Sequence, residues 1–205
     1  MMNPNRNSGL YRFDMRPVFK SSSTNQHWVR IRSPVRFQKG ADGAPLTFEH
    51  ALDNVDGVVS FAFTYPYTYT MVQRDLDVMN THINDMNTPD SIYFTRELLT
   101  LSPDERRVDL VTITSCDGAS QEQEALLPCL FPDTLSPKDS KRPLVFPDKE
   151  IVFISARVHP GEVPAQHTWK GIFDLLLDPH DLRAIMLRRK YVFKLVPILN
   201  PDGKW

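Results

Sequence analysis

The chain has 205 residues, room for one domain or two small ones, and its 41% apolar and 24% charged composition is that of a folded globular protein rather than a disordered one. The 24 Lys and Arg against 25 Asp and Glu leave a net charge of -1, so no bulk field draws in nucleic acid or an anionic membrane. No apolar run approaches the roughly 18 residues that span a bilayer, Met1–Arg6 lacks the hydrophobic centre of a signal peptide, and Cys116 and Cys129 are too few for a disulfide framework and read as free thiols. The expectation is a soluble protein of the cytoplasm.

Leu10–Ile31 reads as irregular, with aromatic and β-branched residues broken by turn formers. Val58–Thr64 has strand composition and ends at Pro66, which cannot donate to a ladder. The spacing of Val72, Leu76, Met79 and Ile83 predicts a helix from Met71, with Thr70 as its N-cap. Glu97–Leu101 and Val108–Thr114 flank the turn-forming Ser102-Pro103-Asp104-Glu105 and predict a hairpin. Five of the 17 prolines (Pro128, Pro132, Pro137, Pro143, Pro147) fall between Asp117 and Asp148, a stretch without helical or strand period that predicts a long surface loop over 117–148.

Beyond the loop the pattern becomes strand, helix, helix, strand. Glu150–Ala156 is a short apolar strand, and Val163–Leu177 carries Trp169, Ile172, Phe173 and Leu176 on one stripe. Asp181 caps a second helix with Leu182, Ile185 and Met186, and Tyr191–Leu199 is a buried strand ended by the turn Asn200-Pro201-Asp202-Gly203. Arg183, Arg188, Arg189, Lys190 and Lys194 read as a solvated basic face, with electrostatic steering of an acidic ligand as the alternative. The order is that of an α/β domain with an open sheet, and two or three strands leave that sheet unfinished.

The candidate chemistry lies in Arg157-Val158-His159-Pro160-Gly161-Glu162, where a strand ends and a helix begins. An imidazole and a carboxylate three residues apart can face one ion if the backbone bends between them, and Pro160-Gly161 suits that bend. Six His and seven Glu make such a pair a chance event in roughly one chain in five, so the spacing alone is weak. Only His159 combines Glu at +3 with a strand-to-helix junction. The remaining alternative is a loop His159 beside a helix-capping Glu162. His50–Asp53 and His82–Asp85 read as solvated surface; His167 and His180 are poorly placed to ligate the same ion.

Several segments, in order, resemble the zinc metallocarboxypeptidases of the cytosolic carboxypeptidase branch. They are Phe61-Ala62-Phe63-Thr64-Tyr65-Pro66-Tyr67-Thr68-Tyr69, Arg96-Glu97-Leu98-Leu99 and Arg107-Val108-Asp109-Leu110-Val111-Thr112-Ile113-Thr114-Ser115. Ala156-Arg157-Val158-His159-Pro160-Gly161-Glu162 and Phe193-Lys194-Leu195-Val196-Pro197-Ile198-Leu199-Asn200-Pro201-Asp202-Gly203 complete the set. Leu130-Phe131-Pro132-Asp133-Thr134 points to one subtype of that branch, associated with the branch-point glutamate.

The resemblance implies an α/β protein: an incomplete β-sandwich-like N-terminal domain over 1–87, followed over 88–205 by the start of an α/β zinc-carboxypeptidase domain. It implies one Zn2+ held by His159, Glu162 and a later His, and removal of glutamates from acidic protein tails such as tubulin, in the cytoplasm and with nuclear or microtubule-associated pools. Nucleic acid and membranes are not implied as partners. The resembling family usually has Gly where this chain has Glu105, and Thr where it has Val163. Its third ligand, substrate-holding arginines and general-base Glu all lie past Gly203, so no catalytic or substrate-binding residue is assigned. On this reading the chain is truncated at both ends and inactive alone; the competing expectation is a non-catalytic module that binds tubulin or another partner.

Overall fold

The computed structural model describes residues 10–11, 13–22, 25–37, 46–52, 57–85, 92–131 and 142–203. The chain forms two compact units, Met1–Pro66 and Tyr67–Trp205.

The first unit is β-rich. Strand β1 (Val18–Ser21) pairs antiparallel with β2 (Asn25–Arg30) on one side and β5 (Val59–Ala62) on the other, and β3 (Arg36–Phe37) pairs with β4 (Leu46–Thr47). The region expected to be irregular therefore contains two strands. Their composition is ordinary; they pair with each other across a short connection, and β5, some forty residues away in sequence, adds the third strand beside β1. His50, expected on a solvated surface, instead lies with its ring centroid 4.1 Å from Phe19 and 5.4 Å from Phe61; Asp53 and the side chains of His82 and Asp85 lie outside the described residues.

The second unit is a four-stranded mixed sheet in the order β6-β7-β9-β8. Strands β6 (Ile92–Leu101) and β7 (Arg107–Ser115) form the hairpin, longer than its sequence pattern at the β6 end. Strand β9 (Tyr191–Val196) runs antiparallel to β7, and β8 (Glu150–Ser155) runs parallel to β9 at the edge. A parallel pair needs a crossover, which α2 (Val163–Leu177) and α3 (Leu182–Lys190) provide. Helices α2 and α1 (Tyr69–Asp85) contribute to one core, in which Val72, Leu76, Trp169, Phe173 and Leu176 meet Val111, Ile113, Phe193 and Leu195. Trp169 stacks on Phe173 at 4.8 Å between ring centroids, and truncating either to Ala in a core of this density costs about 3–5 kcal/mol.

Helix α1 starts earlier than predicted, because Thr68 rather than Thr70 caps it: the Thr68 hydroxyl accepts the Met71 N–H at 3.3 Å. The helix was expected with the N-terminal domain, whose boundary was placed at 87/88. The compact units divide at 66/67, which groups α1 with the hairpin, and a buried charge joins the two alongside the shared core. Asp109 of β7, with its side chain 0% exposed, accepts from Arg107 at 2.9 Å, from Arg96 at 3.1 Å and from Gln73 of α1 at 2.7 Å. Arg96 also reaches Asp77 of α1 at 2.5 Å. A buried carboxylate is tolerable only when its lone pairs are taken, and here that requirement fastens α1 to the hairpin.

Two residues of the predicted basic face are not on it. Arg188 is 2% exposed and donates from Nη1 to the Leu176 and Asp178 carbonyls at 2.7 and 3.0 Å, joining the end of α2 to α3. Lys194 is 7% exposed and reaches Thr112 Oγ1 at 3.0 Å and Glu124 at 2.5 Å. The basic residues are adjacent in sequence, but Lys194 lies in a central strand under Glu124 and Thr112, and the helix end needs its carbonyls satisfied. The Pro-rich stretch is likewise more than a surface loop. Arg142, itself buried, donates to Glu97 of β6 and to Glu124, and Phe146 packs edge-on against Tyr93. Residues 132–141 of that stretch lie outside the described residues. Cys116 and Cys129 are free and exposed, as expected.

Candidate metal centre

Because β8 and β9 are parallel neighbours, both run out at the same end of the sheet, the usual place for ligands in open α/β architectures. The loop after β8 carries His159 and Glu162; the turn after β9 is Asn200–Gly203. The two stay in register beyond the strands. The Ala156 N–H donates to the Val196 carbonyl at 3.0 Å, Leu199 N–H to Ala156 at 2.9 Å, and Asn200 N–H to Arg157 at 3.2 Å. The Asn200 side-chain amide then donates to the Val158 carbonyl at 3.0 Å. A Cβ on Gly203 would stand 2.9 Å from Pro160 Cγ, a separation that real Cβ atoms do not show, so only glycine lets this turn lie against the loop. Asp202, in the same turn, accepts from Ser102 Oγ at 2.7 Å, Asp104 N–H at 2.9 Å and Arg106 at 2.6 Å. Burial opposes its ionisation, but those three donors outweigh burial and hold its carboxyl below the usual carboxylate range.

Within the loop, Arg157 adopts φ 62, a left-handed backbone that costs a non-glycine residue about 1–2 kcal/mol. Its guanidinium is buried, which lowers its proton affinity, and it donates to the carbonyls of Tyr67 and Pro160 at 2.9 and 3.1 Å. The bend at Pro160-Gly161 returns the chain so that Glu162 faces His159. The His159 N–H donates to Glu162 Oε2 at 3.0 Å, and His159 Nδ1 lies 2.7 Å from Glu162 Oε1. These bonds from the His159 backbone, and then from its ring, place the Glu162 carboxyl below its usual range. Glu162 is the N-cap residue of α2 yet makes no side-chain capping bond; its carboxylate turns to the histidine instead. Pro164 in the first turn starts the helix without needing a donor there.

The side chains of His159 and Glu162 are 75% and 45% exposed, so the pair is open to solvent. Its donor set fits zinc: a ring nitrogen and a carboxylate oxygen, with neighbouring ligand atoms on a tetrahedral zinc standing about 3.3 Å apart. The two donors converge at 2.7 Å and need only a small opening to accept an ion. Among the described residues no third His, Cys, Asp or Glu joins them. His167 stacks on the Tyr67 ring at 5.1 Å, and His180 donates its backbone N–H to Asp178. Tyr67 is a core residue of this unit, its hydroxyl bonded to Asp75, and Tyr69 donates to the Arg107 carbonyl, whereas Tyr65 belongs to the first unit, where Arg30 lies over its ring. Sequence reasoning read Asn200–Gly203 as a turn and gave Arg157 no role. The tight Asn-Pro-Asp-Gly run was a visible signal; the left-handed Arg157 had none.

Residues 79–204 match the zinc carboxypeptidase family, peptidase M14. The chain belongs to that family. As a zinc carboxypeptidase relative it is 42% identical over 209 residues to cytosolic carboxypeptidase-like protein 5 of Homo sapiens, with 99% of this chain and 23% of that protein covered. It is 33% identical over 207 residues to cytosolic carboxypeptidase 6 of Mus musculus, covering 32% of it. The subtype to which Leu130–Thr134 pointed is thus among its relatives, and the chain spans about a quarter to a third of their length. A putative carboxypeptidase A from Shewanella denitrificans superposes with TM-score 0.63 at 25% identity, over 94% of this chain and 39% of that one. A putative carboxypeptidase from Burkholderia mallei shares the fold, with TM-score 0.61 over 94% of this chain and 38% of its own length.

Proposed function

We propose that His159 and Glu162 are two zinc ligands of a cytosolic carboxypeptidase that removes glutamates from acidic protein tails, tubulin among them and the branch-point glutamate included. The observation that carries this is the convergence of His159 Nδ1 and Glu162 Oε1 at the mouth of the β8–α2 loop, in a chain of this family. Zinc held there supplies a Lewis acid for amide hydrolysis. This chain's own residues prepare the pair. The His159 N–H fixes one carboxylate oxygen of Glu162, leaving the other turned toward the ring, and an ionised carboxylate is the state a cation requires. The protein acts in the cytoplasm on protein substrates, with nuclear or microtubule-associated pools, and not on nucleic acid or membranes; among the described residues no helix is long and apolar enough to cross a membrane. With two donors, residues 1–205 alone bind zinc weakly and release no glutamate.

The test uses the full-length protein with polyglutamylated tubulin and follows free glutamate and zinc content. Wild type is expected to release glutamate and retain zinc, and His159→Ala to lose both. Stoichiometric zinc surviving dialysis in His159→Ala removes the ligand assignment. Microtubule cosedimentation without any glutamate release favours the non-catalytic binding module. Zinc retained by residues 1–205 alone through dialysis contradicts the weak-binding expectation.

A further inference from the structure

Arg157 bears two burdens at one position. Its backbone sits at φ 62, where glycine is free of strain, and its side chain is 2% exposed, so a cation is taken out of water. Strained backbone beside a candidate site persists where surrounding contacts hold it, and those contacts show what it is for. One arm of the guanidinium donates to the Tyr67 carbonyl at 2.9 Å. Tyr67 is a core residue just before α1, its ring 5% exposed and its hydroxyl bonded to Asp75, so this end of the clamp is on rigid structure. The other arm donates at 3.1 Å to the carbonyl of Pro160, the residue between His159 and the Gly161 bend. On its own carbonyl side Arg157 is held by the Asn200 N–H, and Val158 by the Asn200 side chain. The loop is therefore gripped before and after His159, and both grips meet at residue 157.

We propose that Arg157 is a positioning residue for the His159–Glu162 pair: its guanidinium ties the Pro160 carbonyl to the Tyr67 carbonyl and so sets the bend on which the two donors converge. The proposal rests on the reading of that pair as metal ligands. A glycine here would relieve the backbone and lose the tie. A lysine would keep the charge but, with one nitrogen on a flexible stem, cannot replace the planar fork that bridges two carbonyls.

The full-length protein is prepared as wild type, His159→Ala, Arg157→Gly and Arg157→Lys. Zinc affinity is measured by competition with a chromophoric chelator, and the thermal midpoint is measured on the metal-free forms. Expected are loss of zinc binding in His159→Ala and a weakening of about ten- to hundred-fold in Arg157→Gly, the usual effect of removing support behind a ligand. The metal-free midpoint of Arg157→Gly stays within a few degrees of wild type, and Arg157→Lys is weakened as well. Wild-type affinity in Arg157→Gly, or full affinity in Arg157→Lys, overturns the proposal. A fall in metal-free stability large enough to account for the lost zinc binding overturns it too. If Arg157→Gly does not fold, Arg157→Lys decides alone. Wild-type affinity in His159→Ala removes the ligand reading and the positioning role with it, whereas failure of only the Arg157 variants removes the positioning role and leaves the ligands in place.

Discussion

Of the four described non-glycine residues of the second unit with left-handed backbone, two lie on either side of one turn: Arg157 at φ 62 and Glu105 at φ 59. The turn between them is Asn200–Gly203. Its Asp202 holds the hairpin end at Ser102, Asp104 and Arg106, and its Asn200 and Gly203 meet the loop of His159. At 157 the side chain is buried and both guanidinium arms end on carbonyls. At 105 it is exposed, and the turn closes through backbone bonds of 2.9 Å from Glu105 N–H to Ser102 and from Ser102 N–H to Arg106. A glycine would hold the backbone at Glu105 without strain. Left-handed strain is thus no mark of function by itself; what separates the two sites is whether the side chain uses the geometry.

The comparison can be broken most forcefully at the shared turn. In Gly203→Ala the new methyl group must displace the Pro160 ring, and overpacking of this kind costs about 1–3 kcal/mol. Urea unfolding should show that loss together with weaker zinc binding, and a variant as stable as wild type would show that turn and loop move independently. A smaller effect is expected from acid. Asp202 has its carboxyl held below the usual range, so its contribution is present above that range and fades as pH falls through the lowered value. Asp202→Asn should be less stable than wild type near neutrality, with the gap closing on acidification; a gap that is constant with pH would assign the effect to shape alone. The smallest effect is Glu105→Gly, where relieved strain slightly exceeds the added chain entropy and stabilises by about 0.5–1 kcal/mol in thermal or urea unfolding. If it destabilises instead, the Glu105 side chain is in use and the contrast with Arg157 disappears.

Much of the second unit was legible before any coordinates. Helix α2 spans Val163–Leu177 as its apolar stripe indicated, and Asp181 caps α3 by accepting the Arg183 N–H at 2.8 Å. That ion pair with Arg183, aided by backbone donors at the helix end, holds the Asp181 carboxyl at about 2. That His159 and Glu162 can face each other was legible from their spacing and the bend between them. Less legible were β1 and β2, whose sheet takes its third strand from a distant segment, and the burial of Arg188 and Lys194, which followed other basic residues in a run that looked solvated. The tie between α1 and the hairpin was hidden for the same reason: nothing local to α1 says that Gln73 and Asp77 meet the Arg96–Asp109 pair.

What this sequence determined by itself was therefore its short-range structure: helix starts, apolar periods, and the bend at Pro160-Gly161 that lets His159 and Glu162 meet. Caps, turns and periodicity act over a few residues, where side-chain chemistry and backbone preference suffice. Only the tertiary structure decided that β8 and β9 lie parallel and adjacent, that Gly203 seats against Pro160, and that Arg157 turns left-handed to clasp Tyr67 and Pro160. Those outcomes depend on which distant carbonyls and carboxylates must be satisfied once the core closes.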